Sequence, residues 1–179
     1  MAKNFQFGFD HYLYLAHDGA GTAQKLDQRP GGSGTTDYSN ATWVEYPNVR
    51  TVNVGGNANS VDITTRDEAR SGFATEVDAT TTGEMTFEVR YKPTDDNGNV
   101  QDWAFEALLK TWLNRDEIAA MDLDKQSSVD GAQGLTGNWT VNFSNQKEVQ
   151  GVVLASVTLK LSSFPNWIRY NGTSWDPIS

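Results

Sequence analysis

The chain has 179 residues, a length that suits one domain with a sizeable hydrophobic core. Its 23 acidic residues outnumber 14 basic ones, and a formal net charge of −9 disfavours nucleic-acid binding, which needs Lys and Arg against the phosphates. The absence of cysteine excludes a disulfide framework and a thiolate metal site, and two histidines leave little for a histidine-based one.

The N-terminal part combines a strand with a long loop. Tyr12 to Leu15 are aromatic and aliphatic, which predicts a strand within residues 9–16. Residues 18–41 carry five glycines and few large apolar side chains, so we expect an inserted surface loop. The start of the chain lacks a signal-peptide pattern, and no apolar run approaches the roughly 20 residues of a membrane helix.

The run from Val49 to Tyr91 is the richest in strand signals. Turns are predicted at 55–59 and 81–83, which divides the run into strands at 49–54, 60–65, 73–80 and 84–91. Alternation predicts that one face of the last strand is buried, namely Met85, Phe87, Val89 and Tyr91. The opposite face of the last two strands is acidic and carries Glu76, Asp78, Glu84 and Glu88, offset by Arg90.

The second half predicts one helix followed by more strands. We expect the helix to begin after Asn99 and to end near Asn114, with one apolar stripe formed by Phe105, Leu108, Leu109 and Trp112. Strands are predicted at 118–123, 138–144 and 152–161, with a loop at 127–137. The aromatic segment 164–179 is predicted to be a C-terminal arm.

Two motifs that suggest ligands do not match their templates. The acidic cluster at 95–99 has its glycine three residues after the first Asp, where a calcium-binding EF-hand loop needs five, so a capped turn is expected. The glycines at 131–137 precede a strand, whereas phosphate loops precede a helix. Without a nucleophile–base pair or a metal cluster, we expect neither an enzyme nor a cofactor.

Several elements in order resemble the tail tube (major tail) proteins of long-tailed bacteriophages. The elements are Tyr12-Leu13-Tyr14, the run Asp-Ile-Thr-Thr-Arg at 62–66, the run Gly83–Tyr91 before one helix, and a closing strand around Ser156–Lys160. The resemblance covers about residues 9–162, and the type VI secretion tube protein is similar in fold. The long 18–41 insert and the extension past the last strand depart from the family pattern.

The resemblance implies a single domain over residues 1–179. It would be mainly β, an antiparallel β-sandwich or barrel of two sheets with one flanking helix. Copies would form rings, usually hexamers, that stack into a hollow tube around a tape-measure protein and later conduct genomic DNA without specific binding. Implied partners are other copies, the tape-measure, tail terminator and distal tail proteins. The implied location is the virion tail, after assembly in the host cytoplasm.

Candidate residues follow from this family, each with an alternative. The acids Glu76, Asp78, Glu84 and Glu88 are predicted to face the lumen, or else form an ordinary solvated sheet face. Asp62 and Arg66 are predicted to form either an ion pair between subunits or a local ion pair within the domain. The tail docks on a neighbouring copy or folds over its own domain, through Trp167, Ile168, Tyr170 and Trp175. A rival function, suggested by six tryptophans, is a carbohydrate-binding β-sandwich module.

Overall fold

The computed structural model describes residues 11–27, 41–46, 49–62, 76–91, 97–100, 102–149 and 152–177. Within these ranges the chain forms antiparallel strands and one helix, which confirms the mainly β class with a flanking helix. All eight described strands are hydrogen-bonded into one sheet, where two sheets were expected.

The strands follow the order β2-β1-β5-β6-β7-β4-β3, and β8 pairs with β7 beside this path. Every pairing between them is antiparallel. The elements are β1 (Tyr12–Ala16), β2 (Trp43–Glu45), β3 (Val49–Asp62), β4 (Glu76–Tyr91), α1 (Trp103–Asn114), β5 (Glu117–Leu123), β6 (Gln133–Val149), β7 (Val152–Tyr170) and β8 (Trp175–Pro177).

The described parts of the run, Val49–Asp62 and Glu76–Tyr91, form one pair of long strands, so both predicted turns are wrong. Gly55 lies opposite Glu84 and Gly56 lies opposite Gly83, which places the two predicted turn segments against each other in the β3–β4 ladder. Pairing between the strands satisfies their backbone groups and overrides the local turn preference. The predicted buried face is confirmed at Met85, Phe87 and Val89, while the Tyr91 side chain lies outside the described set.

Helix α1 begins at a capping aspartate. Asp102 Oδ1 accepts a hydrogen bond from the Phe105 N–H at 2.9 Å, and its Oδ2 accepts one from the Tyr46 hydroxyl at 3.1 Å. The cap is therefore Asp102 and not Asn99, because Asp102 alone stands at the right offset to reach the first turn. The helix ends at Asn114, and the next residue, Arg115, caps it in a left-handed conformation with φ of 55°.

The main core lies between α1 and one face of the sheet. Phe105 and Leu108 of the helix pack in a cluster with Trp139 of β6 and Phe87 of β4, all at most 2% exposed. The indole N–H of Trp139 donates to the Ala120 carbonyl at 3.1 Å, which satisfies its one polar atom. The predicted apolar stripe on the helix is thus buried in its first half.

Strand β6 begins at Gln133, inside the segment predicted as a loop. Gly134 is required there because a Cβ at this position would lie 1.7 Å from the Asp122 carbonyl oxygen of β5. Strand β7 continues to Tyr170 through an irregularity at Phe164, whose φ is 52°, and Pro165. Proline is tolerated at such a bulge because no ladder hydrogen bond is needed from it.

Part of the predicted long loop is anchored to the sheet. Asp18 Oδ1 accepts hydrogen bonds from the backbone N–H groups of Ala20 and Thr22, which closes a tight turn after β1. The buried Asn138 amide then holds Leu26 by its backbone, with Leu26 N–H donating at 2.8 Å and Leu26 C=O accepting at 2.9 Å. Residues 28–40 of this loop lie outside the described residues.

Candidate functional site: a polar sheet face between two open edges

The face of the sheet opposite α1 is polar across β3, β4, β7 and β6, and we call it the polar face. Alternation in these strands sends Met85, Val157 and Val141 to the core and their neighbours outward. One row of the polar face crosses all four strands through Asn53, Thr86, Thr158 and Asn142. Short hydroxyl and amide side chains therefore dominate this surface.

Charges on the polar face are mixed. Glu84 and Glu88 are both exposed, as their alternation predicted. The register places Lys160 directly opposite Glu84, and Arg90 is exposed on the same strand as the two acids. Cross-strand neighbours lie close enough to interact, so these cations offset part of the acidic charge. The described part of the polar face therefore carries charges of both signs.

The other two predicted lumen acids lie in the far half of β4. Asp78 is opposite Ser60 and Glu76 is opposite Asp62, and a register shift between Asn59 and Ser60 separates them from Glu84. This shift interrupts the two-residue period, so a face shared by all four acids does not follow from their spacing. Their side chains, that of Asp62 and the whole of Arg66 lie outside what the structure describes.

The polar face is bounded by two open strand edges. Strand β3 ends the sheet, so no described strand pairs with its outer side along Val49–Asp62. On the opposite side, β5 covers β6 only as far as Thr140, and residues 141–149 have no further described strand beside them. Strands β6, β7, β4 and β3 thus form a four-stranded block with an open edge on each side.

Each edge has a long stretch without the residues that usually prevent strand pairing. Soluble proteins protect edges with Lys, Pro or inward-pointing charges. Strand β3 contains no lysine or proline, and its charged residues, Arg50 and Asp62, stand near its ends. The open part of β6 contains no charged residue before Lys147. Both edges therefore remain suitable for pairing with another strand.

A groove lies beside the open edge of β6, at the end of α1, and we call it the helix-end groove. Its volume is about 490 Å³, and it is lined by Thr111, Trp112, Leu113, Arg115, Asp116, Thr140, Val141 and Asn142. Trp112 is 43% exposed and Leu113 is 64% exposed, although the Trp112 ring also meets the Phe143 ring edge-on at 5.6 Å. Trp112 was predicted to lie in the buried stripe, and this prediction is wrong; the groove was not predicted from the sequence.

The exposed tryptophans do not form a platform for sugar rings. Trp139 is fully buried, while Trp103 and Trp112 stand at opposite ends of α1, about 14 Å apart along its axis. Trp167 is 47% exposed on β7, and alternation places it on the face opposite to that of Ile168. Trp43 and Trp175 are partly buried against the cluster that contains Ile168. A carbohydrate site needs exposed aromatic rings that converge on one groove, and Trp103 and Trp112 do not converge in this way.

The aromatic tail packs on its own sheet as far as Pro177. Ile168 is completely buried in a cluster with Tyr14, Met121 and Leu123. Tyr170 and Trp175 hold rings 5.1 Å apart across the β7–β8 pair. Of the four tail residues predicted to contact a partner, Trp167 is the one whose side chain is largely exposed.

Two ionisable groups are buried away from the polar face. Asp122 Oδ2 lies 2.9 Å from His11 Nδ1, and burial raises the pKa of the Asp122 carboxyl while His11 opposes the rise. His17 Nδ1 accepts a hydrogen bond from the Gly19 N–H, and burial lowers the pKa of this histidine. Among the described residues, no three acidic or histidine side chains gather as a metal site.

The part of the chain that the structure describes contains no helix long and apolar enough to cross a membrane. No protein-family model matches the sequence, and no curated protein is significantly similar to it.

Proposed function

We propose that this protein is a self-assembling structural subunit, the tail tube protein of a long-tailed bacteriophage. Its copies join edge to edge into rings, and the rings stack into a hollow tube that conducts DNA. The observation that carries the proposal is the four-stranded block with an open edge on each side, uncharged over most of its length, and a polar face between the edges. The sequence resemblance described above supplies the biological setting.

The strand directions allow copies to join in this way. Three successive antiparallel pairings separate β6 from β3, so these two edge strands run in opposite directions. A neighbour generated by rotation about an axis along the strands keeps its strand directions. Its β3 would therefore run antiparallel to β6 of the first copy, which gives an ordinary antiparallel junction. Such head-to-tail contacts close into a ring when the rotation allows it.

The two faces of the block then have different roles. Helix α1 and the main core occupy one face, so that face forms the outer wall of the ring. The polar face lines the channel. DNA is held by proteins through many Lys and Arg contacts to phosphates, whereas this surface offers Lys160 and Arg90 beside exposed acids. At physiological salt such charges act over about 8 Å, so DNA slides past without a stable contact.

The β3–β4 pair supports stacking of the rings. Strand β4 pairs with β7 from Glu84 to Tyr91, whereas its residues 76–83 pair with β3 alone among the described strands. The far half of this pair is therefore a two-stranded ribbon that extends beyond the block. In the proposed tube the ribbon reaches the adjoining ring. The tape-measure, tail terminator and distal tail proteins are the further proposed partners in the virion.

Electron microscopy of the purified protein, together with sedimentation velocity over a range of concentrations, tests this function. We expect rings or tubes, and sedimentation coefficients that increase with concentration. A monomer that persists at high concentration would contradict the proposal. If such a monomer also bound glycans on an array, the carbohydrate-binding alternative would replace it.

A further inference from the structure

The helix-end groove exposes apolar side chains directly beside a strand edge that has room for a partner. Leu113 is 64% exposed, and Val141 forms part of the groove floor on β6. Large exposed apolar side chains next to one another mark interaction sites more often than scattered ones do. The position of this groove at an open edge indicates that a strand of another molecule covers it.

The register of the sheet connects this groove to the opposite edge. Val141 is opposite Leu159, Leu159 is opposite Met85, and Met85 is opposite Val54. One row of residues therefore crosses the four-stranded block from the groove on β6 to Val54 on β3. Residues opposite each other in a ladder share a face, so Val54 lies on the same face as Met85 and α1.

Val54 is itself an exposed apolar residue. It is 37% exposed, whereas Met85 beside it is fully buried. The main strand contacts of helix α1 are with β6 and β5, at the edge of the block opposite to β3. The row thus has an exposed valine at one end and, at the other, a groove of mixed lining whose apolar residues are Trp112, Leu113 and Val141.

We propose that Val54 of one copy seats in the helix-end groove of the next copy, between Leu113 with Trp112 on one side and Val141 on the other. The inference rests on the proposed edge-to-edge assembly. It adds the residues that fix which strands meet and in which register. A neighbour placed by rotation keeps its outer face outward, so its Val54 arrives on the side where the groove opens.

Each contact between two copies would bury one valine, and this burial predicts how much the contact adds to their affinity. Val54 is already about two-thirds buried in the single chain, so removing the remaining burial should weaken association of two copies by about three- to tenfold. A one-residue slip would send Val54 to the polar face and leave the groove empty. The contact therefore acts on register as well as on affinity.

Cysteine cross-linking tests the contact directly, because the native chain contains no cysteine. We would prepare Val54→Cys and Leu113→Cys as separate proteins, mix them and oxidise the mixture. The expected result is a disulfide-linked heterodimer on a non-reducing gel, and a ladder of covalent oligomers from the double variant. A bond within one chain is not expected, because Leu113 lies on α1, which packs on β6 and β5, and three strand spacings, about 14 Å, separate β6 from the β3 edge that carries Val54.

The matched control is Val129→Cys, another exposed valine, in the turn between β5 and β6. Mixed with Val54→Cys, it should give no heterodimer above background. Wild-type protein that assembles while Val54→Cys and Leu113→Cys fail to cross-link would overturn the register proposed here and leave the proposed function standing. Wild-type protein that stays monomeric would overturn both.

Charge substitution provides a second test that does not depend on disulfide geometry. Val54→Lys and Leu113→Asp should each reduce assembly by about ten- to a hundredfold, and mixing the two variants should restore part of it. Both side chains are exposed in the single chain, so the circular dichroism spectrum should not change. Val129→Asp should assemble like the wild type. Normal assembly of Val54→Lys alone would refute the contact.

Discussion

Replacing Asn138 by alanine should cost about 3 kcal/mol of unfolding free energy. The Asn138 side chain is 1% exposed and bonds to both the N–H and the C=O of Leu26, as well as to the Ser163 hydroxyl at 3.1 Å. Alanine would leave two buried backbone groups without partners, each at about 1–2 kcal/mol. Domains of this kind are stable by roughly 5–15 kcal/mol, so the loss is a large fraction of the total.

Urea denaturation of dilute protein measures this loss. With a slope of about 2 kcal/mol per molar urea, the midpoint should fall by about 1.5 M. Hydrogen exchange gives a local readout, because the Leu26 amide should lose much of its protection. Asn142→Ala is the matched control, since Asn142 lies on the same strand but is exposed, and it should change stability by less than about 0.5 kcal/mol. A loss below about 1 kcal/mol for Asn138→Ala would refute the anchoring of Leu26 to the sheet.

Three further substitutions test other parts of the fold. Gly134→Ala should cost about 3 kcal/mol or more in urea denaturation because its Cβ collides with the Asp122 carbonyl; unchanged stability would contradict the close approach of β5 and β6. Asp102→Ala should lower the thermal midpoint through a loss of about 1 kcal/mol, since the Phe105 N–H loses its cap; Asp130→Ala, in an exposed turn, serves as control. Burial raises the pKa of the Asp122 carboxyl in the folded protein. The protonated carboxyl therefore stabilises the fold at pH values below the pKa of the unfolded state, and this stabilisation is lost as the pH rises through the folded-state pKa. Asp122→Asn should therefore stabilise the protein at neutral pH and flatten its pH profile; an unchanged profile by denaturation at several pH values would exclude this role.

The sequence predicted the parts of the fold that depend on local periodicity. The buried face of β4 at Met85, Phe87 and Val89 follows from alternation, and Phe105 with Leu108 follows from helical spacing. Both patterns repeat over short stretches, so neighbouring residues are sufficient to recognise them.

Other features depend on residues far apart in the chain, and the sequence alone did not predict them. The glycines at 55 and 56 look like a turn until the facing segment of β4 is known. Gly134 belongs to a strand because β5 approaches it closely. Trp112 is exposed at the end of α1, close to where β5 begins beside β6 with the pairing of Glu117 and Thr140, and that pairing joins residues far apart in the chain.

The surroundings of the candidate lumen residues were also predictable only in part. Glu84 and Glu88 are exposed where alternation placed them. The neighbouring Lys160 comes from a strand about 70 residues later, so the mixed charge of the polar face could not be predicted from the 49–91 run. Alternation also failed to anticipate the register shift before Ser60, which separates Asp78 from Glu84.

The four-stranded block also sets the bore of the proposed tube. Strands stand about 4.8 Å apart, so each copy adds about 19 Å to the circumference and about 6 Å to the diameter of the ring. Six copies would give about 37 Å between opposite backbones, before side chains are counted. The short side chains of Ser156, Thr158 and Asn142 take little of that width. The length of the side chains on the polar face would then determine how much room DNA has in the channel, just as their charge determines how strongly DNA binds to the channel wall.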